Sequence, residues 1–219
     1  MEVFNPITSV HGRVLVERTS DPTGVLVGFH GYAQLAEDML EQLNLIPGAD
    51  RWTRVSIQAL HPFYTRGDSR VVASWMTRQD RELAIADNIG YVESVCTGAP
   101  VHMEHKGFSP CVFVGFSQGA AMAYRAALRT SVRAAGIIAL AGDIPPDVKD
   151  VLSTAWPPVL IGVGDREEWY AGDKLESDLT WLRERGIRHD LVRFSGGHEW
   201  TDEFRAAAGL FLLRVSGGG

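Results

Sequence analysis

Residues 111–119 read CVFVGFSQG, an apolar run that ends in the pattern Gly-x-Ser-x-Gly. A short run of β-branched and aromatic residues predicts a buried strand. The Ala-rich stretch 118–128 follows at once and predicts a helix. The chain must then pass from strand to helix within about one residue, which places Ser117 in a strained turn with its hydroxyl above the sheet. Gly115 and Gly119 are expected there because larger side chains would collide.

Strand-like and helix-like segments alternate on both sides of this motif. Further strands are predicted at residues 13–18, 24–29, 54–60, 134–141, 158–163 and 189–194, and further helices at residues 33–45, 79–96, 172–185 and 199–214. Apolar strands separated by helices indicate an α/β fold, with a mostly parallel central sheet and helices on both faces. Residues 62–78 are interpreted as a loop. Without a linker or repeat, residues 1–219 are expected to form one domain, with residues 215–219 as a flexible tail.

The composition limits the classes of partner. Hydrophobic residues make up 45% and charged residues 22%, which is typical of a soluble globular protein. The formal charge of -6 and the lack of a basic stripe argue against nucleic acid. No apolar run approaches the length of a membrane span and no signal peptide precedes the fold, so we expect no stable membrane insertion and a cytoplasmic location. Cys96 and Cys111 lie in apolar stretches and are expected to be buried free thiols.

A serine nucleophile needs a base, and hydrolases that carry Gly-x-Ser-x-Gly use the chain order Ser, acid, His. Only His189 and His198 follow Ser117. His189 begins a strand between charged neighbours and is interpreted as a surface residue. His198 follows that strand in the segment Ser195–Glu199, at the carboxyl end where ligands bind in such sheets. His198 is therefore the predicted base, the alternative being a histidine that caps the last helix.

The acid of the triad must orient the imidazole and stabilise its charged form. Asp165 ends the predicted strand 158–163 and is the preferred candidate. Asp143 ends the preceding strand and is the rival. Three other acids lie in the polar segment after Asp165 and are interpreted as solvated: Glu167, Glu168 and Asp173.

An oxyanion hole requires two backbone donors aimed at one point. One is expected to be the N–H of Gln118, directly after the nucleophile. The other is expected to be the N–H of Tyr32, in the loop after the strand 24–29, where Gly31 allows a close approach of the backbone. His30 is interpreted as structural.

The substrate pocket is expected to have an aromatic wall. Aromatic side chains near the predicted carboxyl edge are candidates for its wall: Phe63, Trp75, Trp169 and Trp200. A packed surface loop explains the first two equally well. A small or aromatic acyl group is the preferred substrate.

Four separated segments resemble the phospholipase/carboxylesterase family of α/β-hydrolases, which includes bacterial carboxylesterases and acyl-protein thioesterases. They are Phe29–Tyr32, Gly115–Gly119, Gly164–Asp165 and Gly196–Glu199. The resemblance extends over about residues 24–210 and implies the α/β-hydrolase fold. It also implies a triad of Ser117, Asp165 and His198 and an oxyanion hole formed by Tyr32 and Gln118. The chain departs from the family pattern at Ala33, where many members have glycine, and at Trp200, where many have an aliphatic residue.

The expected function is that of a serine hydrolase that cleaves carboxylic esters through an acyl-enzyme, with no metal and no other cofactor. Its partner is expected to be a small-molecule acyl ester or thioester. A thioesterase, a lysophospholipase and a dienelactone-type hydrolase remain alternatives on the same site. A binding protein that keeps the fold without catalysis is the alternative from another class, and a homodimer is left open.

Overall fold

The computed structural model describes residues 1–98, 110–151, 156–170 and 172–217. The strands in these ranges are β1 (Val14–Glu17), β2 (Val25–Phe29), β3 (Thr53–Ile57), β4 (His61–Tyr64), β5 (Val71–Ser74), β6 (Cys111–Phe116), β7 (Ala134–Leu140), β8 (Val159–Gly164) and β9 (His189–Phe194). Seven of the described strands form one sheet in the order β1-β3-β2-β6-β7-β8-β9. Within this seven-stranded sheet, only the edge strand β1 pairs in the antiparallel direction. The predicted mostly parallel sheet is confirmed.

Helices cover both faces of this sheet. They are α1 (Ala36–Asn44), α2 (Arg81–Thr97), α3 (Gln118–Arg129), α4 (Pro146–Lys149), α5 (Asp173–Glu184) and α6 (Asp202–Ser216). One hydrophobic core includes buried residues of α2, α3 and α5, and the other includes buried residues of α1 and α6. The predicted α/β-hydrolase arrangement, with helices on both faces, is therefore present.

The apolar run at residues 111–116 is explained by the two cores. Phe113 of β6 packs into the core under α2 and α3, whereas its neighbours Val112 and Val114 pack into the core under α1 and α6. A central parallel strand is buried on both faces, so it reads as a continuous hydrophobic run and not as an alternating one. Cys96 and Cys111 are both free and buried, as expected, and burial raises the pKa of Cys96 to about 12.

The interpretation of residues 62–78 as a loop is wrong. This segment contains most of an antiparallel hairpin, in which His61 of β4 pairs with Ser74 of β5 and Tyr64 pairs with Val71. Each strand has four residues, and the first contains a proline, so the sequence carries little periodic signal. The hairpin is joined to the loop after β2 by a bridge between Gln34 and Ala73.

Smaller differences occur at the element ends. The short helix α4 was not predicted, and α6 continues to Ser216, so the predicted tail from residue 215 begins inside a helix. Residues 218–219 of that tail lie outside the described residues. Within the described ranges, no helix combines the length and the apolar character needed to cross a bilayer.

Candidate active site

Ser117 lies in the turn that joins β6 to α3. Its φ of 55° and ψ of -120° confirm the predicted strain, because an L residue rarely adopts a positive φ. A Cβ atom at Gly115 would lie 2.2 Å from the carbonyl oxygen of Gly119, and one at Gly119 would lie 2.1 Å from that of Phe29. Both positions thus require glycine for the turn to close, as the sequence motif predicted.

Gln118 is the first residue of α3, so its N–H has no acceptor within the helix. Its side chain is fixed to the segment that follows β5. The Oε1 atom accepts a hydrogen bond from the N–H of Trp75 at 2.9 Å, and Nε2 donates to the carbonyl of Met76 at 2.9 Å. The residue after Ser117 therefore connects the nucleophile turn to the hairpin.

The loop after β2 is fixed by His30, which is fully buried. Its Nδ1 lies 2.7 Å from the carbonyl oxygen of Gly31, so Nδ1 carries the proton and Nε2 accepts the N–H of Ala59 at 3.0 Å. Burial lowers the pKa of His30, which keeps the ring neutral. The ring connects this loop to the end of β3, in agreement with its interpretation as structural.

The N–H groups of this loop have different partners. The N–H of Gly31 donates to the side-chain oxygen of Gln34 at 2.7 Å, and the N–H of Ala33 donates to the carbonyl of Ala73 at 3.0 Å. Tyr32 lies between them, and its ring is 5.5 Å from that of Phe63. With its neighbours engaged, the N–H of Tyr32 is the donor that this loop can offer to a substrate.

Ala33 has a φ of 59°, in the left-handed region that favours glycine. This is the position at which the chain departs from the glycine of many family members. The hydrogen bonds of Ala33 and Gln34 with Ala73 of β5 hold the strained conformation.

His198 lies beyond β9, with its imidazole 4.9 Å from the ring of Phe116. Its Nδ1 is 2.9 Å and 2.8 Å from the two carboxylate oxygens of Glu167, so the ring donates this proton to the carboxylate. The Glu167 carboxylate is fully buried, and the imidazole is 27% exposed. Glu167 also accepts the N–H of Trp169 at 2.8 Å. A buried, hydrogen-bonded carboxylate fixes both the orientation and the tautomer of the imidazole.

The geometry does not place Asp165, the predicted acid, against His198. Its carboxylate is 56% exposed, accepts the N–H of Gly196 at 3.0 Å and pairs with Arg166 at 3.2 Å. The N–H of Asp165 still bonds to the carbonyl of Phe194, as in the sheet, and the turn follows only afterwards. That turn brings Glu167, two residues later, under His198.

Glu167, which was interpreted as solvated, is instead the buried carboxylate that contacts His198. Its burial depends on the turn in which its N–H bonds back to the carbonyl of Gly164. The sequence signal that was present is its place three residues beyond the end of β8, equivalent in chain order to Asp165.

Ser117 and His198 line the same cavity, which has a volume of about 190 Å³. Its described lining residues are Met76, Arg81, Ser117, Gln118, Ala121, Ala141, Asp143, Trp169, Tyr170, Lys174 and His198. Asp143, the rival acid of the sequence argument, is therefore part of the cavity wall. The described cavity wall therefore includes two cationic residues, Arg81 and Lys174, and one acidic residue, Asp143.

Of the four aromatic residues predicted to line the pocket, only Trp169 does so in this cavity. Trp75 is fully buried and donates its Nε1 hydrogen to the carbonyl of His30 at 2.9 Å, so it is a core residue. Phe63 lies on β4 beside Tyr32. Trp200 packs against the rings of Phe116 and Phe204, at centroid distances of 6.4 Å and 5.6 Å. These three residues do not line the cavity that contains Ser117.

The chain is similar to known esterases in part of its sequence and in its fold. The family model described as phospholipase/carboxylesterase matches residues 67–156, less than half of the chain. No curated protein matches the sequence. Among solved structures, esterase PE8 is 24% identical, with a TM-score of 0.70, and the match covers 93% of this chain and 98% of that one.

Two further solved structures have the same fold at lower identity. The carboxylesterase of Bacillus cereus is 14% identical, with a TM-score of 0.69 and coverage of 93% of this chain and 94% of that one. Acyl-protein thioesterase 2 of Zea mays is 14% identical, with a TM-score of 0.70 and coverage of 94% and 100%. The resemblance to the phospholipase/carboxylesterase family that the motifs predicted is therefore confirmed, and the chain has the α/β-hydrolase fold.

Proposed function

We propose that the protein is a serine hydrolase that cleaves carboxylic esters, with Ser117 as nucleophile, His198 as base and Glu167 as the acid of the triad. The observation that carries this proposal is the contact of both Glu167 oxygens with Nδ1 of His198, in a cavity that Ser117 also lines. With Nδ1 engaged, Nε2 is the basic nitrogen of the ring. A nucleophile, a base and an orienting carboxylate are the parts that acyl transfer requires.

The first step forms the acyl-enzyme. Ser117 Oγ attacks the ester carbonyl carbon as Nε2 of His198 takes the hydroxyl proton, and the resulting imidazolium is stabilised by the buried Glu167 carboxylate. The carbon–oxygen bond to the alcohol then breaks, and the imidazolium returns its proton to the leaving alkoxide. In the second step, His198 deprotonates a water molecule that attacks the acyl carbon, which releases the acid and restores Ser117.

The oxyanion of each tetrahedral intermediate is proposed to bind the N–H groups of Gln118 and Tyr32. The first is a free donor at a helix N-terminus, where the helix dipole favours negative charge. The second lies between two residues whose N–H groups have other partners. The Gln118 side chain supports the arrangement, because it fixes the first donor to the segment after β5. Removal of one such donor typically costs about two to three orders of magnitude in kcat.

The substrate is proposed to be a small acyl ester. A cavity of about 190 Å³ is smaller than the sites of drug-sized ligands, so it suits a short acyl group more than a long lipid chain. Thioesters follow the same two steps with a thiolate as leaving group, and a panel of esters, lactones and thioesters separates these activities.

The proposal is tested by labelling with a fluorophosphonate probe, which reacts with an activated serine. We expect the wild-type protein to be labelled and the Ser117→Ala and His198→Ala variants to remain unlabelled. Ser195→Ala is the matched control, since Ser195 is exposed and outside the cavity lining, and this variant should label like the wild type. A folded wild-type protein that neither labels nor hydrolyses short aryl esters would favour the binding protein without catalysis.

A further inference from the structure

Two cations line the cavity that contains Ser117: Arg81 and Lys174. Both residues are exposed, and within the described part of the chain no carboxylate forms an ion pair with either of them. The ammonium of Lys174 donates to the carbonyl of Trp169 at 3.1 Å, which holds it near the cavity wall. A guanidinium and an ammonium without counter-ions at a catalytic serine are suited to an anionic ligand.

Each of these cations lies in the first turn of a helix that also carries acidic residues. Arg81 is the first residue of α2, and Lys174 is the second residue of α5. The N-terminal turn of a helix carries a partial positive charge, so a cation there costs stability, whereas an anion is favoured. The cavity is also lined by Gln118, the first residue of α3. The N-terminal turns of three helices and two cationic side chains thus contribute positive potential to one small space.

The acidic residues that line the cavity are fewer than its cations. The carboxylate of Glu167 is buried against the imidazole of His198, where it compensates the charge that the ring acquires. Asp143 also lines the cavity, so its described lining residues include two cations and one carboxylate. A second negative group carried by the substrate would complete the balance.

We propose that the preferred ester carries a carboxylate group, which binds Arg81 and Lys174 while Ser117 attacks the ester carbonyl. This inference rests on the proposed hydrolase function and specifies its substrate class. The carboxylate belongs either to the acyl part, as in a half-ester of a dicarboxylic acid, or to the leaving alcohol. The small cavity volume limits the distance between carboxylate and ester to a few bonds.

Two matched pairs of esters test the proposal. The acyl pair is the mono(para-nitrophenyl) ester of adipic acid and the para-nitrophenyl ester of adipamic acid, which replaces the carboxylate with a neutral amide. The leaving-group pair is para-acetoxybenzoate and para-acetoxybenzamide. For each pair, the ratio of kcat/KM between the carboxylate and the amide is measured in the wild type and in variants, so that intrinsic reactivity cancels.

We expect Arg81→Gln to lower this ratio about tenfold for one of the pairs, mainly through KM, because it removes a charge-assisted hydrogen bond. Lys174→Gln should lower the ratio for the same pair. Arg78→Gln is the control, since Arg78 is an exposed arginine three positions before Arg81 and does not line the cavity. The pair that responds identifies the part of the substrate that carries the carboxylate.

The outcomes separate this inference from the proposed function. If the neutral esters are hydrolysed but the ratios in Arg81→Gln and Lys174→Gln equal those in the wild type, the carboxylate assignment is overturned and the esterase remains. An equal effect of Arg78→Gln would also overturn it, because the response would then reflect overall charge. If none of the four esters is hydrolysed and the fluorophosphonate probe does not label Ser117, the hydrolase function itself is wrong.

Discussion

Asp165 and Glu167 are separated by one residue but have different surroundings. The Glu167 carboxylate is buried against His198, whereas that of Asp165 is more than half exposed and pairs with Arg166. Glu167→Gln should lower kcat about 10³- to 10⁴-fold with little change in KM, because an amide neither fixes the reactive tautomer nor stabilises the imidazolium. Steady-state kinetics on a short aryl ester measure the effect.

Asp165→Asn is the matched control for that experiment. The amide oxygen can still accept the N–H of Gly196, so we expect a loss of less than about tenfold. If Asp165→Asn were the more damaging of the two substitutions, the order of the acids derived from the geometry would be reversed and the sequence-based choice of Asp165 would stand.

Ala33 provides a residue-scale test of stored strain. At a φ of 59° an alanine costs roughly 1–2 kcal/mol, part of which glycine recovers while it increases the entropy of the unfolded chain. Ala33→Gly should therefore raise the free energy of unfolding by up to about 1 kcal/mol. Urea denaturation of both proteins measures the difference, and a loss of more than about 1 kcal/mol would contradict the strain assigned to this residue.

The candidate site was predictable from the sequence to different extents. Ser117 is marked by a local pattern, and His198 by elimination among the histidines in the required chain order. Glu167 was not identified, because several acids follow β8 and the choice among them depends on a turn that places one carboxylate in the interior. Burial of a loop residue is a tertiary property that no local pattern records.

At the scale of elements, the close approach of α3 to β2 decides whether the nucleophile turn can form. A Cβ atom at Gly119 would lie 2.1 Å from a backbone oxygen of Phe29, so the helix would have to move away from the sheet. Gly119→Ala should lower the free energy of unfolding by about 3 kcal/mol, as overpacking of a rigid contact does, and should reduce fluorophosphonate labelling.

Gly90 is the control for this substitution, since a Cβ atom there would meet nothing within 4 Å and the residue lies within α2. Gly90→Ala should raise the free energy of unfolding by about 0.5–1 kcal/mol, because alanine is the better helix former. If the free energy of unfolding falls in Gly119→Ala but rises in Gly90→Ala, the effect at Gly119 comes from the atoms that surround it. Similar effects at both sites would refute the close-approach argument.

The hairpin β4–β5 is the element that sequence patterns did not reveal. Its strands are short, and part of what fixes them is contact with distant segments: the bridge between Gln34 and Ala73, and the hydrogen bonds of Gln118 with Trp75 and Met76. The central strands, by contrast, are recognisable because burial on both faces makes them continuously apolar. Local signals thus predict the sheet, whereas the hairpin depends on tertiary contacts.

At the scale of the whole molecule, the candidate active site combines segments far apart in sequence. The strand order β3-β2-β6-β7-β8-β9 places the carboxyl ends of parallel strands along one edge, where ligands bind in open α/β sheets. The loops after β2, β6 and β8 supply Tyr32, Ser117 and Glu167, and that after β9 supplies His198. The sequence predicted that these loops meet at one edge, because this requires only the strand identities and their parallel direction, but it selected Asp165 and not Glu167 from the loop after β8.

The stability of the molecule as a whole should depend on pH through His30, which connects the loop after β2 to the end of β3. Burial lowers the pKa of this ring below its ordinary value of 6.5. As the pH falls below 6.5, the ring therefore gains a proton in the unfolded chain before it does so in the native protein. The free energy of unfolding should therefore fall as the pH drops below about 6.5, until the lowered native pKa is reached.

A second pH window belongs to Asp147. Burial opposes its ionisation, yet the guanidinium groups of Arg125 and Arg129 hold the pKa of Asp147 below its ordinary value of 3.8. The contribution of Asp147 to the free energy of unfolding is present above pH 3.8 and is lost as the pH falls through its native pKa. This range lies below the pH at which protonation of His30 begins to lower the stability. Urea denaturation between about pH 7.5 and pH 5 isolates the histidine contribution, and the NMR titration of the His30 ring assigns it. Two results together would contradict this prediction: a free energy of unfolding that stays constant over this pH range, and a His30 ring that titrates at or above its ordinary pKa. The ring would then not be the neutral, fixed connection between the loop after β2 and the end of β3.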